Sequence, residues 1–374
     1  MQNRYFVCPP EDALPVEWNP FNHQEFDDPK AVYPDYPLLN YDYPDITYLS
    51  GALRALERDY TLSGYTFYLT KDVQSLPSYG PKVIAFLVAD ERCRRPAYLG
   101  RVGAIFRNYG VRPRLARGAH KHTALSLPTL YQFVRMHMFG LRGRVSGLAR
   151  EFAQRLGWGG PRCATAQHVI PNGYYNQLPL PLKDLSSRPV DLYFSGSIGA
   201  KYWFSAKRAS RERMLARASV LARSRPDLAA KLEAFPDFIP ETFRSPEEKR
   251  KAAEDYSQAL MDAKICLVPR GTMPESARFF EALRFGRIII CDPLPDHWFY
   301  RDAPVIQLKS WHDLGDVVTS LFEHPERMLA LHERSLEHWR AVCSERALGA
   351  FVAEALGAQL KDPSELSETC AVRS

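Results

Sequence analysis

The run from Lys264 to Ile290, KICLVPRGTMPESARFFEALRFGRIII, constrains the fold more than any other part of this chain, because it spells a strand, a turn, a helix and a second strand. Ile265-Cys266-Leu267-Val268 is a short apolar block of the kind that forms a parallel strand covered on both faces. Pro269 ends it. Arg270 and Gly271 make a turn in which glycine lets the backbone approach a ligand closely, and Pro274, Glu275 and Ser276 supply a helix start with an acidic first turn. Gly286 closes that helix, and Ile288-Ile289-Ile290-Cys291 follows as an uncharged strand rich in β-branched residues. The unit is βαβ, so the turn before its helix lies at the carboxyl edge of a sheet, where such folds bind ligands. Unpaired amides at that helix start favour a phosphate.

Length and composition set the frame around this unit. With 374 residues and 45% hydrophobic content the chain can build two domains, each with its own core. The formal charge of +6 suits anionic small molecules, nucleotides or an acidic membrane face. No recognisable nucleic-acid-binding motif accompanies it, so nucleic acid is not expected as a partner. The 7 cysteines are odd in number and scattered, with no paired CxxC spacing, which fits a reducing compartment better than a disulfide framework or a zinc site. The amino terminus carries no apolar signal region and no run is long enough to span a membrane, so a cytoplasmic protein is expected.

Periodicity divides the chain. The Pro-, Tyr- and Asp-rich segment Pro9 to Tyr48 reads as irregular structure against a first domain. A helix is expected over Leu49 to Asp59, then strands at Thr66 to Leu69, Val83 to Val88 and Ala104 to Arg107, helices at Thr129 to Phe139 and Gly143 to Leu156, and a last strand from His168. Pro179 to Pro189 has the composition of a linker. Beyond it come a strand at Val190 to Phe194, helices at Ala206 to Arg223 and Ser245 to Asp262, the unit described above, a strand at Val305 to Leu308, and helices at Trp311 to Phe322, Pro325 to Cys343 and Ala347 to Leu356. The expected domains are 1–180 and 181–360, with a mobile tail at 361–374.

Several of these residues together resemble the donor-binding segment of exostosin-like glycosyltransferases: Cys266-Leu267-Val268-Pro269-Arg270-Gly271, Ser276, Arg278-Phe279, Glu281-Ala282-Leu283 and Gly286. Tyr193-Phe194-Ser195-Gly196-Ser197 is similar to the strand-to-glycine turn of that family. The likeness runs from Asp191 to Leu308 and is that of a soluble bacterial-type member. It implies an α/β protein of the GT-B fold, two Rossmann-like domains with an interdomain cleft, and inverting transfer of a sugar from a nucleotide-sugar donor, UDP-linked by expectation, without a metal or other cofactor. A glycan or lipid-linked saccharide acceptor in surface polysaccharide assembly, with peripheral contact at the inner face of a membrane, belongs to the same expectation. A GT-B-type sugar-nucleotide epimerase and a non-catalytic carbohydrate-binding or scaffold protein are the alternatives.

Candidate residues follow from both readings. In the resembling family a Glu at the place of Glu281 accepts hydrogen bonds from the donor ribose; the competing reading is a helix ion pair with Arg278 or Arg284. Arg270 can grip a diphosphate bidentately, and Gly271, Ser276 and Arg278 flank it. Ser195, Gly196 and Ser197 could wrap the same phosphates, with Lys201, Lys207 or Arg208 supplying charge; the turn fits neither GxGxxG nor a phosphate-binding P-loop. Inversion needs a base, for which Asp90 and Glu91 at the end of a buried strand are candidates, with His120 and His122 as rivals. Either carboxylate could instead cap the next segment or pair with Arg92, Arg94 or Arg95. The aromatic residues of the first 48 positions, Tyr174-Tyr175 and His297-Trp298-Phe299-Tyr300 could stack on sugar rings or simply fill cores. No HxH with downstream carboxylates suggests a metal hydrolase.

Overall fold

A computed structural model describes residues 2–8, 15–17, 46–110, 163–174, 180–199, 205–236 and 246–361, together with Pro20, Leu130, Tyr131, Val134 and Met138. The strands are β1 (Arg4–Cys8), β2 (Val16–Glu17), β3 (Tyr60–Thr61), β4 (Thr66–Thr70), β5 (Gly80–Leu87), β6 (Val102–Arg107), β7 (Ala166–Val169), β8 (Val190–Ser197), β9 (Ala230–Phe235), β10 (Ala263–Val268), β11 (Ile288–Cys291), β12 (Ile306–Gln307) and β13 (Gln359–Leu360). The helices are α1 (Ile46–Asp59), α2 (Ala206–Ser224), α3 (Pro246–Asp262), α4 (Ala277–Arg284), α5 (Leu314–Glu323), α6 (Pro325–His338) and α7 (Glu345–Leu356). The expected helices at Thr129 to Phe139 and Gly143 to Leu156, most of the segment Pro9 to Tyr48, and the tail after Lys361 lie outside the described residues, apart from isolated positions.

The described residues form two compact units, the first within Met1–Gly110, Met138–Pro171 and Val342–Ser374, the second within Val111–His137 and Asn172–Ala341. A single cut near residue 180 therefore does not reproduce them, because the segment carrying α7 belongs with the first unit. Each unit holds a sheet: β2-β1-β4-β5-β6-β7, parallel except for β2, and β12-β11-β10-β8-β9, parallel throughout. Both are Rossmann-like, and the α/β class expected from the sequence is the class observed.

One face of the first sheet is an aromatic ladder. Tyr5, Phe67, Phe86, Phe106 and His168 succeed one another across β1, β4, β5, β6 and β7 with centroid separations of 5.1, 6.3, 5.3 and 5.0 Å. Each such contact adds about 0.5–1.5 kcal/mol beyond simple burial. Phe351 of α7 meets Phe106 and His168 edge-on, and α7 crosses α1 where a side chain on Gly349 would strike the Ala52 carbonyl at 2.6 Å. Burial holds the His168 pKa below the ordinary imidazole value, in keeping with a core role.

In the second unit, β10 and β11 pair in register, Ile265 opposite Ile288 and Val268 opposite Cys291. Ile288 to Cys291 are all buried, as strands covered on both faces must be. The segment Pro179 to Pro189 is more than a linker. Arg188 within it is fully buried and donates to the carbonyls of Lys183 (2.7 Å), Phe285 (3.0 Å) and Ala263 (3.4 Å), so its guanidinium ties the segment to the ends of β10 and α4. Burial lowers its pKa to about 10, with Asp184 and Asp262 opposing the shift. Gly286 ends α4 at φ +65°, and a Cβ there would lie 2.7 Å from both the His332 Nδ1 and the Leu336 Cγ of α6; glycine is required twice over.

Candidate functional site

The carboxyl ends of β8, β10 and β11 and the start of α4 come together at one edge of the second sheet. Asp292, one residue past β11, organises this edge. One of its carboxylate oxygens accepts the backbone amide of Arg270 at 2.7 Å and the hydroxyl of Ser210, and the other accepts Trp311 Nε1 at 3.1 Å. Arg211 of α2 donates to the carbonyls of Arg270 and Ser197. The turn after β10 is thus fixed from two sides before any ligand arrives.

Arg278 lies at the centre. Its guanidinium sits over the Phe194 ring, 5.0 Å from the centroid, and against Gly196, where a Cβ would come within 2.2 Å of Nη2. Its Nε and Nη1 are buried and make no hydrogen bond, and the same is true of Arg270 Nε. Burial opposes the charge on Arg278, but attraction to Tyr256, Glu281, Cys266 and Tyr193 outweighs it, so its pKa is raised. Burial lowers the Arg270 pKa, against the opposing fields of Asp292 and Glu275. Buried guanidinium donors without acceptors are costly, and an anion at this edge would relieve that cost.

Glu281 is buried and accepts the Tyr256 hydroxyl at 2.5 Å. Burial first, and then Glu281, hold the Tyr256 pKa well above the ordinary phenol value, so Tyr256 keeps its proton and donates it. Arg284, weighed from the sequence as an ion-pair partner of Glu281, stacks on Tyr174, 3.9 Å from the ring centroid.

The structure brings Ser195, Gly196, Ser197, Arg270, Gly271, Ser276, Arg278 and Glu281 to this edge. Ser276 stands at the N-cap of α4, but its side chain makes no capping bond. Arg208 departs from expectation: it pairs with Glu212 at 2.7 Å on an exposed helix face, and the α2 cations that reach β8 are Arg211, on the Ser197 carbonyl, and Lys207, whose Nζ donates to Ser197 Oγ at 2.8 Å. Lys201, His120, His122 and Tyr175 lie outside the described residues. The sequence reading missed Asp292, Arg211 and Tyr256, polar residues with no local motif to mark them.

In the first unit, Asp90 is buried with both carboxylate oxygens occupied, one by Arg94 Nε at 2.8 Å, the other by the Arg94 amide and Arg107 Nη2, each at 2.7 Å. The pairing with Arg94 foreseen as the competing reading is the one observed. Glu91 is exposed. Among the described residues, no three His, Cys, Asp or Glu side chains converge as metal ligands would, and no helix is long and apolar enough to cross a membrane.

The contact between Gly196 and Arg278 yields a direct expectation. Gly196→Ala should push the guanidinium aside and weaken nucleotide binding about tenfold while the melting temperature stays near wild type, since the atom met is the tip of a flexible side chain. Isothermal titration with UDP checks it; unaltered affinity would place Arg278 outside the ligand's reach.

No protein-family model matches the chain, and no curated protein matches it. Among solved structures it is similar to sucrose-phosphate synthase from Thermosynechococcus elongatus, at 13% identity and a TM-score of 0.37 over 73% of this chain and 66% of that one. TarM is similar at 9% identity and a TM-score of 0.38, over 74% and 55% of the two chains. WaaG, described as a glycosyltransferase involved in lipopolysaccharide biosynthesis, is similar at 12% identity and a TM-score of 0.40, over 83% and 95%. The chain spans 66% of the length of the first and 55% of the second. At these scores the strand order and register, not the likenesses, carry the fold assignment: an α/β chain with two Rossmann-like units.

Proposed function

We propose that the chain is a glycosyltransferase of the GT-B class that takes a nucleotide-sugar donor at the carboxyl edge of its second sheet. The observation that carries this reading is the Arg278 guanidinium, with two buried nitrogens lacking acceptors, set against Gly196 and next to the Glu281–Tyr256 pair. The resemblance of Asp191 to Leu308 to the exostosin-like donor segment points to the same ligand. In this reading Arg278 and Arg270 hold the diphosphate, and Glu281 takes ribose hydroxyls through the carboxylate that Tyr256 orients. Transfer proceeds with inversion to a glycan or lipid-linked saccharide, in a cytoplasmic setting with peripheral membrane contact. Glu91 is the candidate base, because its side chain is exposed while Asp90 is consumed by ion pairs.

UDP and other nucleoside diphosphates should raise the melting temperature of the protein, by linkage. Sugar transfer from the matching nucleotide sugar should persist in excess EDTA, since cationic side chains and helix-start amides would carry the leaving diphosphate. Absence of any nucleotide shift would sink the reading. Loss of transfer in EDTA, restored by magnesium or manganese, would sink the metal-independent form of it.

A further inference from the structure

Next to the arginines, the same edge carries a second polar pair of opposite character. Glu275, on the turn between β10 and α4, is buried, and its Oε1 lies 3.3 Å from Nε2 of His297, on the segment that follows β11. Both side chains are largely closed off from solvent, with 1% of Glu275 and 14% of His297 exposed. A carboxylate partner fixes the ring: Nε2 carries the proton, so in the neutral imidazole Nδ1 is a lone-pair acceptor. Nδ1 makes no hydrogen bond to the described residues. The ring is held from its other side by Phe299 and Tyr300, with centroids at 5.2 and 6.2 Å.

We propose that the Glu275–His297 pair recognises hydroxyl groups of the sugar carried by the donor. This rests on the nucleotide-sugar reading and adds to it the place of the sugar. The edge divides by charge: Arg270 and Arg278 suit a diphosphate, whereas a carboxylate beside an imidazole repels anions and suits a neutral group rich in O–H donors. A fixed acceptor nitrogen flanked by aromatic rings has the mixed polar and flat apolar character that pyranose recognition uses. The sequence had offered His297 only as one of four adjacent aromatic residues; its carboxylate partner 22 positions earlier became visible once β10 and β11 were paired.

The test compares a nucleoside diphosphate with its sugar conjugates. Calorimetric titration of the intact protein with UDP, UDP-glucose, UDP-galactose and UDP-N-acetylglucosamine, and with the GDP counterparts, gives the affinity gained from the sugar. His297→Ala should leave diphosphate affinity and the melting temperature within twofold and a few degrees of wild type, while lowering the sugar-dependent gain by about ten- to a hundredfold. His297→Gln, which can still donate to Glu275 and accept a hydroxyl, should recover part of the gain. Glu275→Gln should lose part of it, by freeing the ring to turn. Failure of every nucleoside diphosphate to bind wild type would overturn the nucleotide-sugar reading and the pair's role together. Diphosphate binding with a sugar gain that survives His297→Ala would overturn the pair's role alone.

Discussion

Arg278→Met is expected to lower nucleoside diphosphate affinity by about a hundredfold and to abolish sugar transfer to a similar degree. Two buried guanidinium nitrogens without acceptors are what a diphosphate oxygen pair would satisfy, and charge-assisted hydrogen bonds of this kind contribute roughly 1.5–3 kcal/mol each. Methionine approximates the length of the side chain and can pack on Phe194, so the apolar support remains. Removing the charge takes a cation away from the buried Glu281, which costs some stability; Arg278→Lys separates the effects by keeping the charge but not the fork. Titration with UDP alongside a thermal melt decides the matter. A folded Arg278→Met variant with native nucleotide affinity would remove Arg278 from the site and, with it, the main support for the proposed donor position.

Where the chain could be read from sequence, it was because one period dominated. Ile288 to Cys291 and Ile265 to Val268 lie in strands because they are uninterrupted apolar runs, and α4 ends at Gly286 because only glycine accepts φ +65° with His332 so close. Strand β9, Ala230–Phe235, was not legible: it is an edge strand whose side chains are mostly exposed, so no alternation marks it. Strand β1 was missed for a different reason. It is fastened by long-range bonds, Asn3 and Tyr5 donating to Glu57 of α1, and local pattern says nothing of a partner about fifty residues away.

The candidate site shows the same division. Arg270, Gly271, Arg278 and Glu281 could be named because a single βαβ unit contains them. Asp292, Arg211 and Tyr256 could not, because each arrives from a different element and acts through a hydrogen bond that only the parallel pairing of β8, β10 and β11 creates. Arg208 and Lys207 show how far one helical position matters: a rotation of about 100° separates a solvent-facing ion pair from a contact with Ser197.

The second large effect concerns Asp90, and it discriminates a structural role from a catalytic one. Asp90→Asn should destabilise the first unit by about 3–5 kcal/mol, the scale for removing one partner of a buried ion pair. Arg107 would stay behind with 8% of its surface exposed, keeping only a 3.3 Å bond to the Arg94 carbonyl and a buried Nε that already lacks a partner. The amide would also set an N–H group against the Arg94 amide or a guanidinium, donor against donor. The turn it anchors is strained as well: Ala89 and Cys93, on either side of Asp90, adopt φ values of 57° and 48°, a region that non-glycine residues enter at a cost of about 1–2 kcal/mol each. The Asp90 ion pairs, the Cys93 amide bonded to the Asp90 carbonyl at 2.9 Å and the Ala89 amide held by Asn108 at 3.1 Å keep the chain there. Denaturant unfolding, followed by hydrogen exchange in β5 and β6, should show the early loss of this unit in the variant while UDP still binds the second. If Asp90→Asn instead melts like wild type, binds UDP normally and loses only turnover, Asp90 is the base after all and its ion pairs are part of the catalytic machinery.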